Sequence, residues 1–202
     1  MRTLALTLVA AVAVAGCSGS GGTASTLSYT NPTSTGWRLV KDPASTSTRL
    51  VLALVGPSGT NTRGVGFNLQ AGPAARWSAF SSGLPIQDTG VLELRDSMPN
   101  PNLPPDPDEY VLLNGGLMDG NVLTVGIFQK DRRVTAKDAS QPLLRIAIEL
   151  DAKAQPGPIP LTLKKAKVLP EDIGAYTDDP LTVLSKSHLE TIDIALGTLQ
   201  AS

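Results

Sequence analysis

The sequence contains little cysteine, histidine or aromatic residue and almost no net charge. Its 202 residues include one Cys, one His and 4% Phe, Trp and Tyr, and 17 Lys and Arg residues stand against 18 Asp and Glu residues. One Cys excludes a disulfide within the chain, and one Cys with one His cannot form a zinc site of the usual kind. Nucleic-acid binding needs an excess of positive charge that the chain lacks. We therefore expect no nucleic-acid partner and no zinc site, and we assign no metal-binding residue and no cofactor to the chain.

An apolar run lies at the N-terminus and is too short to span a bilayer as a helix. It extends from Leu4 to Ala15, follows Met1-Arg2, and is followed by Gly16-Cys17 and a tract of Ser, Gly and Thr. A short positive region, a short apolar stretch and small residues before a break are typical of a secretory signal. We expect residues 1–16 to be removed from the mature protein.

The end of this segment, Val14-Ala15-Gly16-Cys17, resembles the lipobox of bacterial lipoproteins. The resemblance implies that the peptide is cut before Cys17, that the thiol is diacylated, and that the new amino group is also acylated. Each buried CH₂ contributes about 0.8 kcal/mol, so several acyl chains give a durable lipid anchor. In the proteobacterial family, Ser18 in place of Asp implies the outer membrane. The alternative is an ordinary signal peptide in which Cys17 carries no lipid.

The mature chain is predicted to consist of a linker and one domain. Residues 17–35 are rich in Ser, Thr and Gly and lack apolar periodicity, so we expect a flexible linker, with the domain at 36–202. Beyond residue 36 the apolar residues have a period of two, which is typical of strands. The continuous run Leu50–Val55 predicts a strand buried on both faces, and Leu144–Leu150 has the clearest alternation.

Turn signals predict two strand pairings. Asp119-Gly120-Asn121 predicts a hairpin that joins Tyr110–Leu113 to Val122–Phe128. The proline-rich turn at residues 156–158 predicts that 144–150 pairs with 159–163.

In two further segments the sequence carries signals for a helix. Pro73 makes 74–80 the one segment that favours an additional short helix. The final segment fits either a helix with a Ser187 and Glu190 capping box or a strand, and its β-branched residues favour the strand.

Eight or nine short strands punctuated by Gly and Pro predict an all-β protein, an antiparallel β-sandwich. Three segments, residues 64–69, 121–128 and 143–163, resemble the strand order of cohesin domains. The resemblance covers about residues 36 to 198 and implies the jelly-roll sandwich that cohesins share with the family-2 and family-3 carbohydrate-binding modules. Cohesins bind dockerins through a sheet face, so the resemblance implies a protein-binding domain.

Candidate catalytic residues are few. His188 is the only imidazole, and no Gly-x-Ser-x-Gly nucleophile elbow accompanies it, so we interpret it as a surface or strand-edge residue beside Glu190. Four glycines at 56, 59, 64 and 66 suggest a phosphate loop, but residues 67–70 continue as a strand. We interpret these glycines as turn residues.

Charged loops and aromatic residues leave alternatives open. Two acidic loops permit a calcium site or a carboxylate pair for glycoside hydrolysis, although we favour solvated loops. Two basic clusters permit contact with anionic headgroups, although we favour protection of strand edges. Trp37, Trp77 and Phe67 are expected in the core, which leaves Tyr29, Tyr110 and Tyr176 for glycan stacking. The acidic residues are Asp106, Asp108, Glu109, Glu171, Asp172, Asp178 and Asp179, and the basic residues are Lys130, Arg132, Arg133, Lys137, Lys164, Lys165 and Lys167.

The sequence thus predicts a lipoprotein of the bacterial cell envelope, anchored at the outer membrane through Cys17. Its β-sandwich is expected to bind a protein partner and not to be an enzyme. The alternative is a glycan-binding accessory module, and a hydrolase ranks third.

Overall fold

The chain is all-β. A computed structural model describes residues 22–93, 121–129, 135–171 and 189–202, and the backbone alone at 116–118. These residues form fourteen strands, β1 to β14, and no helix. Every strand pairing is antiparallel and the sheets pack together, so the predicted antiparallel β-sandwich is confirmed. The expected count of eight or nine strands is too low, because strands of two to four residues leave no periodic signal.

Three sheets make up the structure. The five-stranded sheet contains β2 (Arg38–Lys41), β3 (Arg49–Val55), β10 (Leu144–Leu150) and β5 (Ala75–Ser78) in that order, with β6 (Ile86–Asp88) also on β10. The six-stranded sheet contains β13 (Glu190–Thr191), β12 (Leu161–Pro170), β4 (Asn61–Ala71), β8 (Val122–Phe128) and β7 (Gly116–Met118), with β9 (Lys137–Asp138) on β4. The three-stranded sheet contains β1 (Leu27–Thr30), β14 (Thr198–Ala201) and β11 (Gly157–Ile159) in that order.

The core lies between the two larger sheets, because alternate residues of each strand point inward. Burying one such side chain contributes about 1.5 to 3 kcal/mol. Phe67 and Trp77 belong to this core as expected, and the half-buried Trp37 packs against it. The fully buried members from the long strands are Leu50, Leu52, Leu54, Val65, Leu69, Leu123, Ile127, Leu144, Ile146 and Ile148.

The short helix expected at 74–80 is wrong. Ala75 and Trp77 alternate with Arg76 and Ser78 and form β5, which pairs with β10. The apolar period of two, together with the pairing, overrides the helix-opening Pro73.

The expected pairing of 144–150 with 159–163 is also wrong. β10 pairs with β3 in the five-stranded sheet, Ile159 in β11 pairs with β14, and β12 pairs with β4. The proline-rich turn therefore leads from one sheet to another instead of closing a hairpin.

The predicted hairpin at residues 119–121 and the predicted strand in the final segment are confirmed in part. β8 pairs with β7 next to Asn121, whose φ of 60° suits the expected turn, while Tyr110–Leu113 lies outside the described residues. The final segment is strand at β13 and β14, with an isolated bridge from Ala195 to Arg38 between them.

The linker expected at 17–35 is too long. β1 lies inside it, pairs with β14 along its whole length, and buries Leu27 and Tyr29. Among the described residues, the first backbone hydrogen bond is made by Ala24, whose N–H donates to the carbonyl oxygen of Ala154 at 2.8 Å. A strand of four residues with two apolar side chains leaves too weak a pattern to predict, and its partner strand lies at the other terminus.

Hydrogen bonds define two opposite ends of the sandwich. At the Ala24 end, Gly72 N–H donates to Pro160 O, Asp151 N–H to Ala74 O and Ser25 N–H to Ser202 O. At the Gly56 end, Gly56 N–H donates to Ala139 O and Leu143 N–H to Leu54 O. The Ala24 end comprises 24–26, 47–48, 72–75, 121, 151–160 and 202, and the Gly56 end comprises 56–61, 128–129, 138–143 and 170–171.

Candidate functional site

Two arginines and one glutamate meet on the outer face of the five-stranded sheet, near the Ala24 end. Glu149 in β10 lies directly opposite Arg49 in β3 and opposite Arg76 in β5. Because cross-strand partners point to the same face, the central carboxylate stands between the two guanidinium groups. We call these residues, with Ser78 and Phe80, the Arg–Glu cluster.

Arg49 is fixed from several sides. Its Nε lies 3.6 Å from Glu149 Oε1 and donates to Ser78 Oγ at 3.3 Å. A terminal nitrogen donates to the carbonyl oxygen of Ala79, and the guanidinium lies 4.7 Å from the centre of the Phe80 ring. Ser78 Oγ in turn donates to Glu149 Oε1 at 2.8 Å. These contacts hold both the arginine and the glutamate in one geometry.

Arg76 is the exposed member of the cluster. Its terminal nitrogen donates to Glu149 Oε2 at 3.0 Å, while 65% of its side chain remains accessible to solvent. The pair contributes little to stability, at most about 1 kcal/mol, because it is exposed. The ion pair orients the guanidinium of Arg76, and its solvent-exposed N–H groups suit a carboxylate or carbonyl oxygen of a partner.

A groove of about 350 Å³ adjoins Arg76 and Glu149. Leu150 also lines the groove, while its half-buried side chain packs against the core. The groove is lined by Ala24, Ser25, Thr48, Arg76, Glu149, Leu150, Asp151 and Ala152.

A second groove of about 510 Å³ lies beside Asn121 at the same end. Asn121 Nδ2 donates to the carbonyl oxygens of Ala71 at 3.1 Å and Ala75 at 2.8 Å. The backbone carbonyl oxygen of Asn121 accepts a hydrogen bond from Trp77 Nε1. Asn121 therefore connects the two larger sheets, and its role is structural. The groove is lined by Gln70, Ala71, Gly72, Pro73, Asn121, Pro160 and Thr162.

The buried pair of Asp42 and Arg145 is also structural. Arg145 Nε donates to Asp42 Oδ2 at 2.8 Å, and Asp42 is 5% exposed. Since β3 lies between β2 and β10, the arginine reaches across β3 to the residue that follows β2. Asp42 Oδ1 accepts the N–H of Ala44, which satisfies the second oxygen.

Most of the candidates named from sequence lie outside the described residues. These are Cys17, the predicted lipidation residue, His188, Tyr110, Tyr176, the acidic residues Asp106, Asp108, Glu109, Asp172, Asp178 and Asp179, and the basic residues Lys130, Arg132 and Arg133. Within the described ranges, no three His, Cys, Asp or Glu side chains are grouped so that they could hold a metal ion.

Two of the described charged candidates, Glu171 and Lys167, have local hydrogen-bond partners. The Glu171 carboxylate accepts from Asn61 Nδ2 at 2.9 Å, and Lys167 Nζ donates to Thr191 Oγ1 at 2.8 Å. Lys164 and Lys165 are exposed at a bulge of β12, which is typical of a protected strand edge.

Two sequence interpretations of individual residues are wrong. Tyr29 does not belong to an exposed surface, because its ring is in the core, and burial raises the pKa of its hydroxyl. Gly64 and Gly66 are not turn residues, because both lie inside β4, where the ring of Phe128 lies against them. In both cases a distant partner strand decides the environment.

No local pattern in the sequence indicates the Arg–Glu cluster. Arg49 and Glu149 each sit at the end of an apolar strand, and Ser78 and Glu149 are 71 positions apart. Only the pairing of β3, β10 and β5 brings these residues together, and that pairing was not predicted.

No protein-family model matches this sequence, and no curated protein matches it. The resemblance to cohesin domains therefore stays a prediction. In the described ranges, no helix has the length and apolar character needed to cross a membrane.

Proposed function

We propose that this chain is a lipoprotein, anchored through Cys17 in the bacterial cell envelope at the outer membrane, whose β-sandwich binds a protein partner and is not an enzyme. The lipobox-like residues at 14–17 support the anchor. The exposed Arg76 supports the binding function, because Glu149 orients it at the edge of a groove. That oriented guanidinium is the single observation that carries the proposed protein-binding site.

An oriented arginine at the edge of a groove is typical of protein interfaces, where Arg is enriched among the residues that carry most of the binding energy. A glycan platform uses exposed aromatic faces instead. Of the aromatic residues in the described ranges, Trp37 and Phe80 are half-buried, and Phe80 already contacts Arg49. The geometry therefore favours a protein partner over the glycan alternative.

The anchor is tested by metabolic labelling with radioactive palmitate. The unmodified chain should incorporate label and sediment with membranes, and Cys17→Ser should lose both properties. Equal labelling of the two chains would contradict the anchor.

The binding site is tested by photocrosslinking in cells. A photoreactive amino acid at Thr48, in the groove wall, should give a discrete crosslinked protein. Adding Arg76→Ala should remove that product, whereas Lys164→Ala, on the other large sheet, should leave it unchanged. A product that persists with Arg76→Ala would overturn this site. Recovery of a glycan without any protein would favour the alternative function.

Glu149→Gln gives a finer test of the same site. The amide keeps the size of the side chain and removes the charge that orients Arg76, so the Thr48 crosslink should weaken without disappearing. An undiminished crosslink would show that Arg76 needs no orientation by the carboxylate.

A further inference from the structure

We infer that the Ala24 end of the sandwich faces the lipid surface and stays within about 25 Å of it. This inference rests on the proposed acylation of Cys17. It depends on the length of chain between Cys17 and the contact of Ala24 with Ala154, and on the end of the sandwich at which that contact lies. It gives the domain a membrane-facing end and a defined orientation.

The tether between lipid and domain is short. Ala24 is held to the domain by its hydrogen bond to Ala154, and seven residue steps separate it from Cys17. A fully extended chain spans at most about 3.3 to 3.6 Å per residue, so this tether reaches no farther than about 25 Å. A linker that ended at residue 35, as expected from the sequence, would reach about 65 Å and would impose no orientation.

The residues that follow Ala24 are firmly attached to the domain. The N–H groups of Ser25 and Thr26 donate to the carbonyl oxygen of Ser202 at 2.7 and 2.9 Å, and Ser202 N–H donates back to Thr26. The strand that follows buries Leu27 and Tyr29. Lengthening the tether by releasing β1 would expose both side chains, which opposes the release.

The domain is longer than its tether. β4 has eleven residues, and at about 3.3 Å per residue the strand spans about 36 Å between the two ends. For the Gly56 end to face the membrane, the Ala24 end would have to move away by about that distance. A tether of about 25 Å does not permit it.

The surface of the Ala24 end suits a position close to headgroups. Four exposed prolines lie there: Pro73, Pro156, Pro158 and Pro160. Because proline has no backbone N–H, these positions lose no N–H hydrogen bond to water when they approach the headgroups. Lys153 is the exposed charged side chain of the 151–160 segment. The groove beside Arg76 opens at this end, so a partner that occupies it must itself lie at the membrane surface.

Single thiols test the orientation. Cys17 is the only cysteine of the chain and is consumed by the lipid, so an introduced cysteine is the only free thiol. A fluorophore is attached at Lys153→Cys, at the Ala24 end, or at the exposed Ser58→Cys, at the Gly56 end. Each purified lipoprotein is reconstituted into phosphatidylcholine vesicles that carry a nitroxide quencher on part of their headgroups. We expect strong quenching at 153 and weak quenching at 58.

A longer tether is the matched control. About twelve Gly and Ser residues inserted between Gly21 and Gly22 add about 40 Å of reach and leave Cys17 and the domain unchanged. The insertion should reduce the difference between the two labelled positions. A difference that persists undiminished would overturn the inference that the tether sets the orientation.

The lipid on Cys17 is measured separately, by the mass of the N-terminal peptide. Equal quenching at 153 and 58 in an acylated chain would overturn the orientation and leave the proposed anchor intact. An unacylated Cys17 would overturn the proposed anchor, and this inference with it.

Discussion

The hydroxyl of Tyr29 accepts a hydrogen bond from the backbone N–H of Gly197 at 2.6 Å and donates one to the carbonyl oxygen of Leu39 at 3.1 Å. One side chain thereby connects β1, β2 and the segment before β14. A Cβ at position 197 would overlap the Tyr29 ring and the carbonyl oxygen of Thr30, so this approach requires glycine. The contact joins residues 168 positions apart and fastens the N-terminal strand to the domain.

Tyr29→Phe should lower the free energy of unfolding by about 1 to 3 kcal/mol, because the half-buried N–H of Gly197 and the buried carbonyl oxygen of Leu39 lose their partner. Gly197→Ala should cost about 2 to 3 kcal/mol through overlap with backbone atoms. Urea denaturation of a soluble chain beginning at Gly22 measures both. Ser28→Ala, at an exposed position of the same strand, should change the free energy by less than about 0.5 kcal/mol. An equal loss in all three variants would show that the hydroxyl has no specific role.

Stability should fall at alkaline pH through Tyr29. Burial raises the pKa of its hydroxyl above the ordinary value of 10.0, and the Gly197 hydrogen bond opposes this in part. Above pH 10 the unfolded chain releases the proton more readily than the folded one, so unfolding becomes easier as the pH rises. The free energy of unfolding should therefore decrease between about pH 9 and pH 11 more steeply in the unmodified chain than in Tyr29→Phe. Parallel decreases in the two chains would contradict this.

The long strands could be predicted from the sequence because each carries its own signal. β3 is a continuous apolar run, β10 alternates over seven residues, and β8 follows a turn that Asn121 accommodates at positive φ. These elements specify the sandwich and most of its core. Their periodicity is local, so no knowledge of their partners was required.

The candidate site could not be predicted, because it depends on which strands pair. Glu149 meets Arg49 and Arg76 only when β10 lies between β3 and β5. The sequence turn at 156–158 favoured a different partner for β10, and Pro73 favoured a helix where β5 lies. Register and strand order arise from the packing of the whole core, which local patterns do not report.

Arg145→Met should destabilise the fold by about 2 to 3 kcal/mol, because it leaves the buried Asp42 carboxylate without its charged partner. The loss is smaller than for a fully buried ion pair, because 33% of the arginine side chain is exposed. Adding Asp42→Asn removes the unpaired charge, so the double variant should lose less than the sum of the two single losses. Additive losses in the urea denaturation cycle would show that the two side chains do not interact.

Gly64→Ala should separate β4 from β8. A Cβ at position 64 would lie 2.5 Å from the carbonyl oxygen of Ile127 and 2.6 Å from the Cα of Phe128, so backbone must move, at a cost of about 3 kcal/mol. Gly66→Ala should cost less, since its contacts with the Phe128 ring begin at 3.1 Å. Thermal unfolding followed by circular dichroism compares the two variants. Recovery of Gly64→Ala by Phe128→Ala would show that the ring, and not the backbone, is the obstacle.

The start of the domain is tested by truncation. A soluble chain beginning at Gly36 lacks β1, so it loses Leu27 and Tyr29 from the core and leaves β14 without one neighbour. At about 1.5 to 3 kcal/mol for each side chain, the loss is about 3 to 6 kcal/mol, a large part of the stability of an ordinary domain. The urea midpoint should therefore lie well below that of the chain beginning at Gly22, with the fluorescence of Trp37 and Trp77 as the signal. A peptide of residues 22–35 added to the shorter chain should raise its midpoint, because β1 can pair with β14 again. Equal midpoints for the two chains would mean that β1 contributes nothing, and the tether to Cys17 would then be long enough to let either end of the sandwich face the membrane.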